Sequence, residues 1–177
     1  MRRAVFLDRD DTLIDNAGDL ADPSRVRLLP GSLVACERLA GAGYTLVVVS
    51  NQGVVARGGG SLRDVEATND RVRALLTRPH ASRPLVEAFY FCPFHPEGTV
   101  GRFASEHPWR KPAPGMILVA AGELGIDLAC SWFVGDAERD IRAAIAAGIP
   151  PPCALLIGAA RPLPDLAAAA DRILANG

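Results

Sequence analysis

The chain alternates short apolar runs with stretches whose apolar residues recur at helical spacing. Residues 4–7 form an unbroken apolar run that gives way at once to Asp8-Arg9-Asp10-Asp11. Such a run reads as a buried strand, and a parallel sheet presents its functional groups at the carboxyl end of its strands. Residues 14–29 are rich in Asp, Asn and Gly without periodicity, which predicts a loop over that end. Leu33, Cys36 and Ala40 then recur at helical spacing as far as Gly41 and Gly43,. Residues 44–49 are apolar apart from Thr45, as expected of a central strand covered on both faces, and end in Ser50-Asn51-Gln52,. Gly58, Gly59 and Gly60 predict a mobile link into Ser61-Leu62-Arg63-Asp64, a capping-box start for a helix carrying Val65, Val72 and Leu76,.

The second half repeats the alternation. Residues 88–91 predict a third strand, followed by a long irregular segment, 92–112, that contains His95 and His107. A connection of that length inside a compact domain is usually functional or disordered. Pro114 suits a first helical turn, with residues 116–124 as the apolar body and Gly125 as the stop,. Residues 131–134 predict a fourth strand ending in Gly135-Asp136, and Asp140, Ile141, Ala144 and Ile145 begin a helix closed by Gly148,. A fifth strand at 154–157 and an Ala-rich helix at 166–170 complete the pattern. Strands alternating with helices indicate an α/β domain with a mainly parallel sheet.

Composition narrows the partners. With 49% hydrophobic and 22% charged residues, 177 residues make one globular domain, 1–177,. A formal net charge of -1 and scattered basic residues give no footprint for nucleic acid or a membrane surface, so a small molecule is the expected partner,. Cys36, Cys92, Cys130 and Cys153 form no C-x-x-C pair, and the start does not read as a secretory signal,. No apolar run approaches 20 residues,. A cytoplasmic monomer is expected.

The strand ends carry the candidate chemistry. Asp8 and Asp10 are two apart, so in extended backbone they point into one crevice. Two converging carboxylates suit a cation, and Mg²⁺ takes oxygen ligands from one or two carboxylates plus a substrate phosphate. Ser50 and Asn51, Lys111, and Asp136 with Asp140 would meet them at the same edge. Lys111 is the only lysine among 19 Lys and Arg residues.

This set resembles the haloacid dehalogenase superfamily of phosphotransferases in all four of its motifs: Asp8 to Thr12, Ser50, Lys111, and Gly135 to Asp140. The resemblance implies a three-layer Rossmann-like domain with a mainly parallel central sheet and no separate cap domain. It implies Asp8 as nucleophile, forming an aspartyl phosphate, and Asp10 as acid to the leaving alcohol and then base to water. Asp8, the backbone carbonyl of Asp10 and Asp136 would hold Mg²⁺. Lys111, Ser50 and the Asn51 amide would stabilise the transferring oxygens. Asp140 could orient Lys111, support the metal, or serve only as a helix first-turn acid.

A narrower resemblance rests on Asp8-Arg9-Asp10, Ser50-Asn51-Gln52, Ala56-Arg57-Gly58, Cys92-Pro93, His95-Pro96-Glu97-Gly98 and Arg110-Lys111-Pro112. These are similar to the D-glycero-D-manno-heptose-1,7-bisphosphate 7-phosphatases and their relatives, the histidinol-phosphate phosphatases. It implies substrate binding by Asn16, Asp19, Asn51, Gln52, Gly53, Arg57 and Arg110. Two departures stand out. Asp11 occupies the usual glycine position, where Asp tolerates left-handed backbone better than most residues. The zinc site common in these relatives keeps only Cys92, because Phe94 and Trp109 stand at two ligand positions and His107 at a third. Even with His95, three candidates fall short of the four ligands of a closed zinc site, so zinc is not expected. Two other functions fit the residues. One is a histidinol-phosphate phosphatase; the other is a non-enzymatic phosphoacceptor domain of the receiver type, which carries its phosphorylated Asp on a middle strand and lacks a partner like Asp10.

Overall fold

A computed structural model describes residues 2–16, 18, 20–77 and 83–176. Among the described residues, five parallel strands, β1 (Ala4–Leu7), β2 (Thr45–Asn51), β3 (Val86–Cys92), β4 (Trp132–Gly135) and β5 (Ala154–Leu156), form one sheet in the order β3-β2-β1-β4-β5. The chain runs from β1 outward to β3, then returns to the other side of β1 for β4 and β5. A crevice therefore opens beside β1, where the order reverses.

Strand alternation explains the layers. Val5, Leu7, Leu46, Val48 and Val134 face α1 (Ser32–Gly41), α5 (Leu166–Asn176) and the end of α2 (Leu62–Leu75). Phe6, Val47, Val49 and Phe133 face α3 (Gly115–Leu124) and α4 (Glu138–Ala147). Both sides of the inner strands are thus covered, which is why their sequences read as unbroken apolar runs. Among the described residues no helix is long and apolar enough to cross a membrane.

The expected elements are present with shifted bounds. β2 continues through Ser50 and Asn51, and β3 is longer than residues 88–91, because pairing with the neighbouring strand extends beyond the apolar run. The last helix passes residue 170 to Asn176, carried on by buried Ile173. The expected capping box is formed: Ser61 Oγ accepts from the Asp64 N–H, and the Asp64 carboxylate accepts from the Ser61 N–H. The glycine link is not a loose tether. Gly58 and Gly59 donate to the Val55 and Val54 carbonyls, and a Cβ on Gly60 would come within 2.6 Å of the Ala21 side chain.

The long segment after β3 folds onto the rim of the sheet around aromatic side chains. Phe94 stacks on His107 with centroids 4.2 Å apart and packs edge-on against Phe103. Trp109 meets His107 and Tyr90 edge-on. These contacts fill the place where the family resemblance puts metal ligands, and such pairs contribute roughly 0.5–1.5 kcal/mol each beyond their burial. Purified protein should therefore carry no stoichiometric zinc by elemental analysis. About one zinc per chain, surviving dialysis against a weak chelator, would show that Cys92, His95 and His107 ligate a metal after all.

Candidate active site

Register brings the polar strand ends together. Leu7 pairs with Val48 on one side and Val134 on the other, so Asp8, Ser50 and Asp136 leave the sheet at one edge. The Asp8 N–H still donates to the Val134 carbonyl at 3.0 Å, which fixes the backbone where the side chain turns into the crevice.

Lys111 reaches this edge from the irregular segment. Its Nζ donates to Asp8 Oδ1 at 2.8 Å and to the Val49 carbonyl at 2.9 Å, and lies 2.7 Å from Asp140 Oδ1. Two of the ammonium's three donors are thus hydrogen-bonded, and the Asp140 carboxylate balances its charge,. The lysine backbone is held as well: its N–H donates to Asn51 Oδ1, and Asn51 Nδ2 donates to its carbonyl, both at 2.9 Å. Asp140 joins two of the roles left open by the sequence, since its other oxygen accepts from the Ala137 N–H at the start of α4. Gly135 permits this approach, because a Cβ there would come within 2.6 Å of Asp140 Cβ.

The charges explain each other. Burial pushes the Asp8 carboxyl up to about 7, against the pull of Lys111 and with Asp140 and Asp10 adding repulsion. Burial alone would lower Lys111, but Asp8 and Asp140 more than offset it and hold the ammonium above its ordinary value. Asp136 is also raised, by burial first and by Asp140 next. Asp8, Asp136 and Asp140 each offer one ligand atom within 4.8 Å of the others, and Asp136 Oδ1 is buried without a hydrogen-bond partner. An orphaned carboxylate oxygen among acids fits a hard divalent cation. The Asp10 side chain is outside that group, so its expected contribution is limited to the backbone carbonyl.

Asp10 is held elsewhere, by a residue whose part the sequence reading missed. Arg9 is fully buried, and its Nε and Nη2 donate to the two oxygens of Asp10 at 2.9 and 3.3 Å. Nη2 also donates to Gln52 Oε1 at 2.7 Å, and Nη1 to Asn69 Oδ1 at 2.8 Å. Gln52 Nε2 donates to Asp10 Oδ2 and to Ser50 Oγ, both at 2.7 Å. Gln52, expected to bind substrate, is buried with its amide engaged by Arg9, Asp10 and Ser50, and is not among the residues that line the cavity over the site. By occupying an acceptor position on Ser50, it leaves the hydroxyl proton to donate forward.

A polar cavity of about 240 Å³ opens over Asp8, Asp10, Ser50 and Lys111. Of the expected substrate-binding residues, Asn16, Asn51, Gly53, Arg57 and Arg110 line it. The Asn51 side chain is committed to Lys111, whereas Asn16 Oδ1 is buried without a partner. Asp19 lies outside the described residues. Gly53 allows close packing at the wall, since a Cβ would come within 2.9 Å of Arg57 Nη1 and 3.0 Å of His95 Cδ2. His95, considered above as a zinc candidate, and Arg139 also line the cavity. Arg139 had only its place between Asp136 and Asp140 to signal it. Asp11 adopts φ 57°, the left-handed turn anticipated at that position.

The class of protein defined by this sheet edge and its acids is the haloacid dehalogenase-like hydrolases. A family model described as "HAD-hyrolase-like" matches residues 108–173, which include Lys111, Asp136 and Asp140. The D-glycero-beta-D-manno-heptose-1,7-bisphosphate 7-phosphatase of Yersinia pestis is 38% identical over 147 residues, 82% of this chain and 76% of the relative. The D-glycero-alpha-D-manno-heptose-1,7-bisphosphate 7-phosphatase of Burkholderia mallei is 36% identical over 147 residues, 83% and 76% of the two chains. A crystal structure of D,D-heptose 1.7-bisphosphate phosphatase from B. bronchiseptica, complexed with magnesium and phosphate, superposes with a TM-score of 0.81 at 30% identity, covering 99% of both chains. The chain belongs to this family of haloacid dehalogenase-like phosphatases, and it is a phosphoric monoester hydrolase.

Two measurements test the electrostatics. The raised Asp8 carboxyl ionises in the unfolded chain first, so metal-free protein loses stability as pH rises from the ordinary 3.8 towards about 7,. A divalent cation binds the ionised form, so the Tm increment produced by Mg²⁺ should grow between about pH 5 and about pH 8. An increment that is flat or falls over that range would contradict the assignment. Lys111→Arg keeps the charge but cannot direct a compact ammonium at three oxygens, so kcat/KM should fall at least roughly tenfold. An unchanged kcat/KM at saturating Mg²⁺ would mean that only a positive charge is needed.

Proposed function

We propose that the chain removes the 7-phosphate of D-glycero-D-manno-heptose 1,7-bisphosphate, leaving the 1-phosphate. Family membership supports the reaction class. The observation that carries the substrate is the charge distribution of the cavity, in which Asp8 and Lys111 lie at the floor while Arg57, Arg110 and Arg139 line the walls. A substrate with a second phosphate satisfies both parts, since guanidinium forks recognise phosphate oxygens. Histidinol phosphate would instead bring an amine and an imidazole against those arginines. Asn16 Oδ1, an unpartnered acceptor, suits a sugar hydroxyl.

The chemistry follows from the residues. An Asp8 oxygen attacks phosphorus, forming an aspartyl phosphate as the bond to the sugar oxygen breaks, and Asp10 gives its proton to that oxygen. Water then attacks the same phosphorus, Asp10 takes its proton, and the bond to Asp8 breaks to release phosphate and restore the carboxylate. Lys111 and the Ser50 hydroxyl neutralise charge on the transferring oxygens, and Asp140 keeps Lys111 aimed. Mg²⁺, when held by Asp8, the Asp10 carbonyl and Asp136, supplies further positive charge to those oxygens.

The reading includes one domain spanning residues 1–177 that works as a monomer in the cytoplasm, where free Cys36, Cys92, Cys130 and Cys153 stay reduced,. Elution as a dimer in size-exclusion chromatography would count against the monomer.

A receiver-like role is disfavoured. β1 is itself the middle strand of the sheet, so strand position does not separate the two functions. The pairing of Asp8 with Asp10 does, because a base two residues away makes a stored acyl phosphate short-lived. A panel of phosphate esters with Mg²⁺, including both heptose bisphosphate anomers and histidinol phosphate, tests the proposal. The heptose bisphosphate should be preferred by at least roughly tenfold in kcat/KM, with loss of the 7-phosphate seen by phosphorus NMR, and Asp8→Asn should abolish turnover. Preference for histidinol phosphate, or an Asp8→Asn protein within about tenfold of wild type, would overturn it.

A further inference from the structure

The geometry points to Arg9 as the residue that positions Asp10 for proton transfer, with Asn69 of α2 fixing Arg9 in turn. The inference rests on the reading of Asp10 as acid and base. Arg9 is held at four points: two oxygens of Asp10, Gln52 Oε1 and Asn69 Oδ1. Gln52 closes the ring by donating back to Asp10 Oδ2. A carboxylate gripped at both oxygens by a planar fork has its rotation fixed, whereas a single ion pair would leave it free to turn.

Neutralising Asp10 would not by itself call for this arrangement. A lysine neutralises a carboxylate too, but it cannot bond two carboxylate oxygens in one plane while reaching an acceptor on each side. Asn69 strengthens the case. Asparagine is a poor residue for a helix interior, yet it sits within α2, 7% exposed, with its oxygen on Arg9 Nη1,. A helix outside the strand-end motifs is thereby tied to the acid. The same α2 begins just after the turn that carries Arg57 on the cavity wall, so the grip on Asp10 and the wall share one support.

The role predicts a kinetic signature that general destabilisation would not produce. A sugar alkoxide needs a proton to leave, but 4-nitrophenolate does not, so an enzyme with a misplaced Asp10 should still transfer phosphate from 4-nitrophenyl phosphate to Asp8. Release of that phosphate needs Asp10 as base and should become slow. Asn69→Leu, which removes the acceptor at similar size, and Arg9→Lys, which keeps the charge but loses the fork, should lower kcat for heptose bisphosphate by about tenfold or more with little change in KM. With 4-nitrophenyl phosphate, stopped-flow should show a burst of about one nitrophenolate per active site followed by a slowed steady state. Asp10→Asn is the reference and should burst in the same way. If it bursts while folded Asn69→Leu and Arg9→Lys do not, the positioning role is wrong and the assignment of Asp10 stands. If Asp10→Asn itself shows no burst and no slowed steady state, the assignment of Asp10 fails and the inference with it. Should Arg9→Lys not fold, Asn69→Leu decides alone: equal slowing of both esters, with no burst, would overturn the inference.

Discussion

A positive charge sealed inside the domain constrains this structure more than any other single feature. Lys111 is 2% exposed, and an ammonium taken out of water must recover its solvation from the oxygens around it,. It does so with Asp8 after β1, the Val49 carbonyl in β2 and Asp140 in the first turn of α4. Removing one partner of such a buried pair typically costs about 3–5 kcal/mol, because the other charge is left uncompensated. One nitrogen thus ties three parts of the sheet's carboxyl edge in the alignment that the site needs.

Burial first, and then the excess of acids around that cation, holds Asp8 and Asp136 above the ordinary carboxylate range. A site left electrically incomplete by its own side chains is prepared for ligands that complete it: a cation among the carboxylates and an anion against the lysine and arginines. Asp8 is the hinge between the two, since it belongs to the acid cluster and also faces the cavity.

Much of this was legible in the sequence because strand ends in a parallel sheet are punctuated by polar residues. Asp8, Ser50 and Asp136 each follow an unbroken apolar run, and two-sided burial makes such runs visible without any alignment,. Lys111 was marked by being the chain's one lysine and by its motif. What stayed hidden depends on which way a side chain turns. The family resemblance puts Gln52 among the substrate contacts, but just past the end of β2 its amide turns onto Asp10 and Ser50. Nothing in the sequence links Arg9 with Asn69; only tertiary packing brings them together across 60 residues. Phe94 and Trp109 are legible in the sequence only as replaced metal ligands, and the stacking of Phe94 on His107 depends on how the segment folds back.

The paired hydrogen bonds between Asn51 and the Lys111 backbone have a bearing on how such a protein can change over time. They fasten the far end of the irregular segment directly to a sheet strand, independently of what fills the segment's middle. The ring contacts of Phe94, His107 and Trp109 lie upstream of that fastening. A lineage could therefore trade metal ligands for aromatic rings there, one residue at a time, while the lysine stayed on target at every step. The rings hold the segment's middle and the Asn51 bonds hold its end, so a change in the first leaves the second in place.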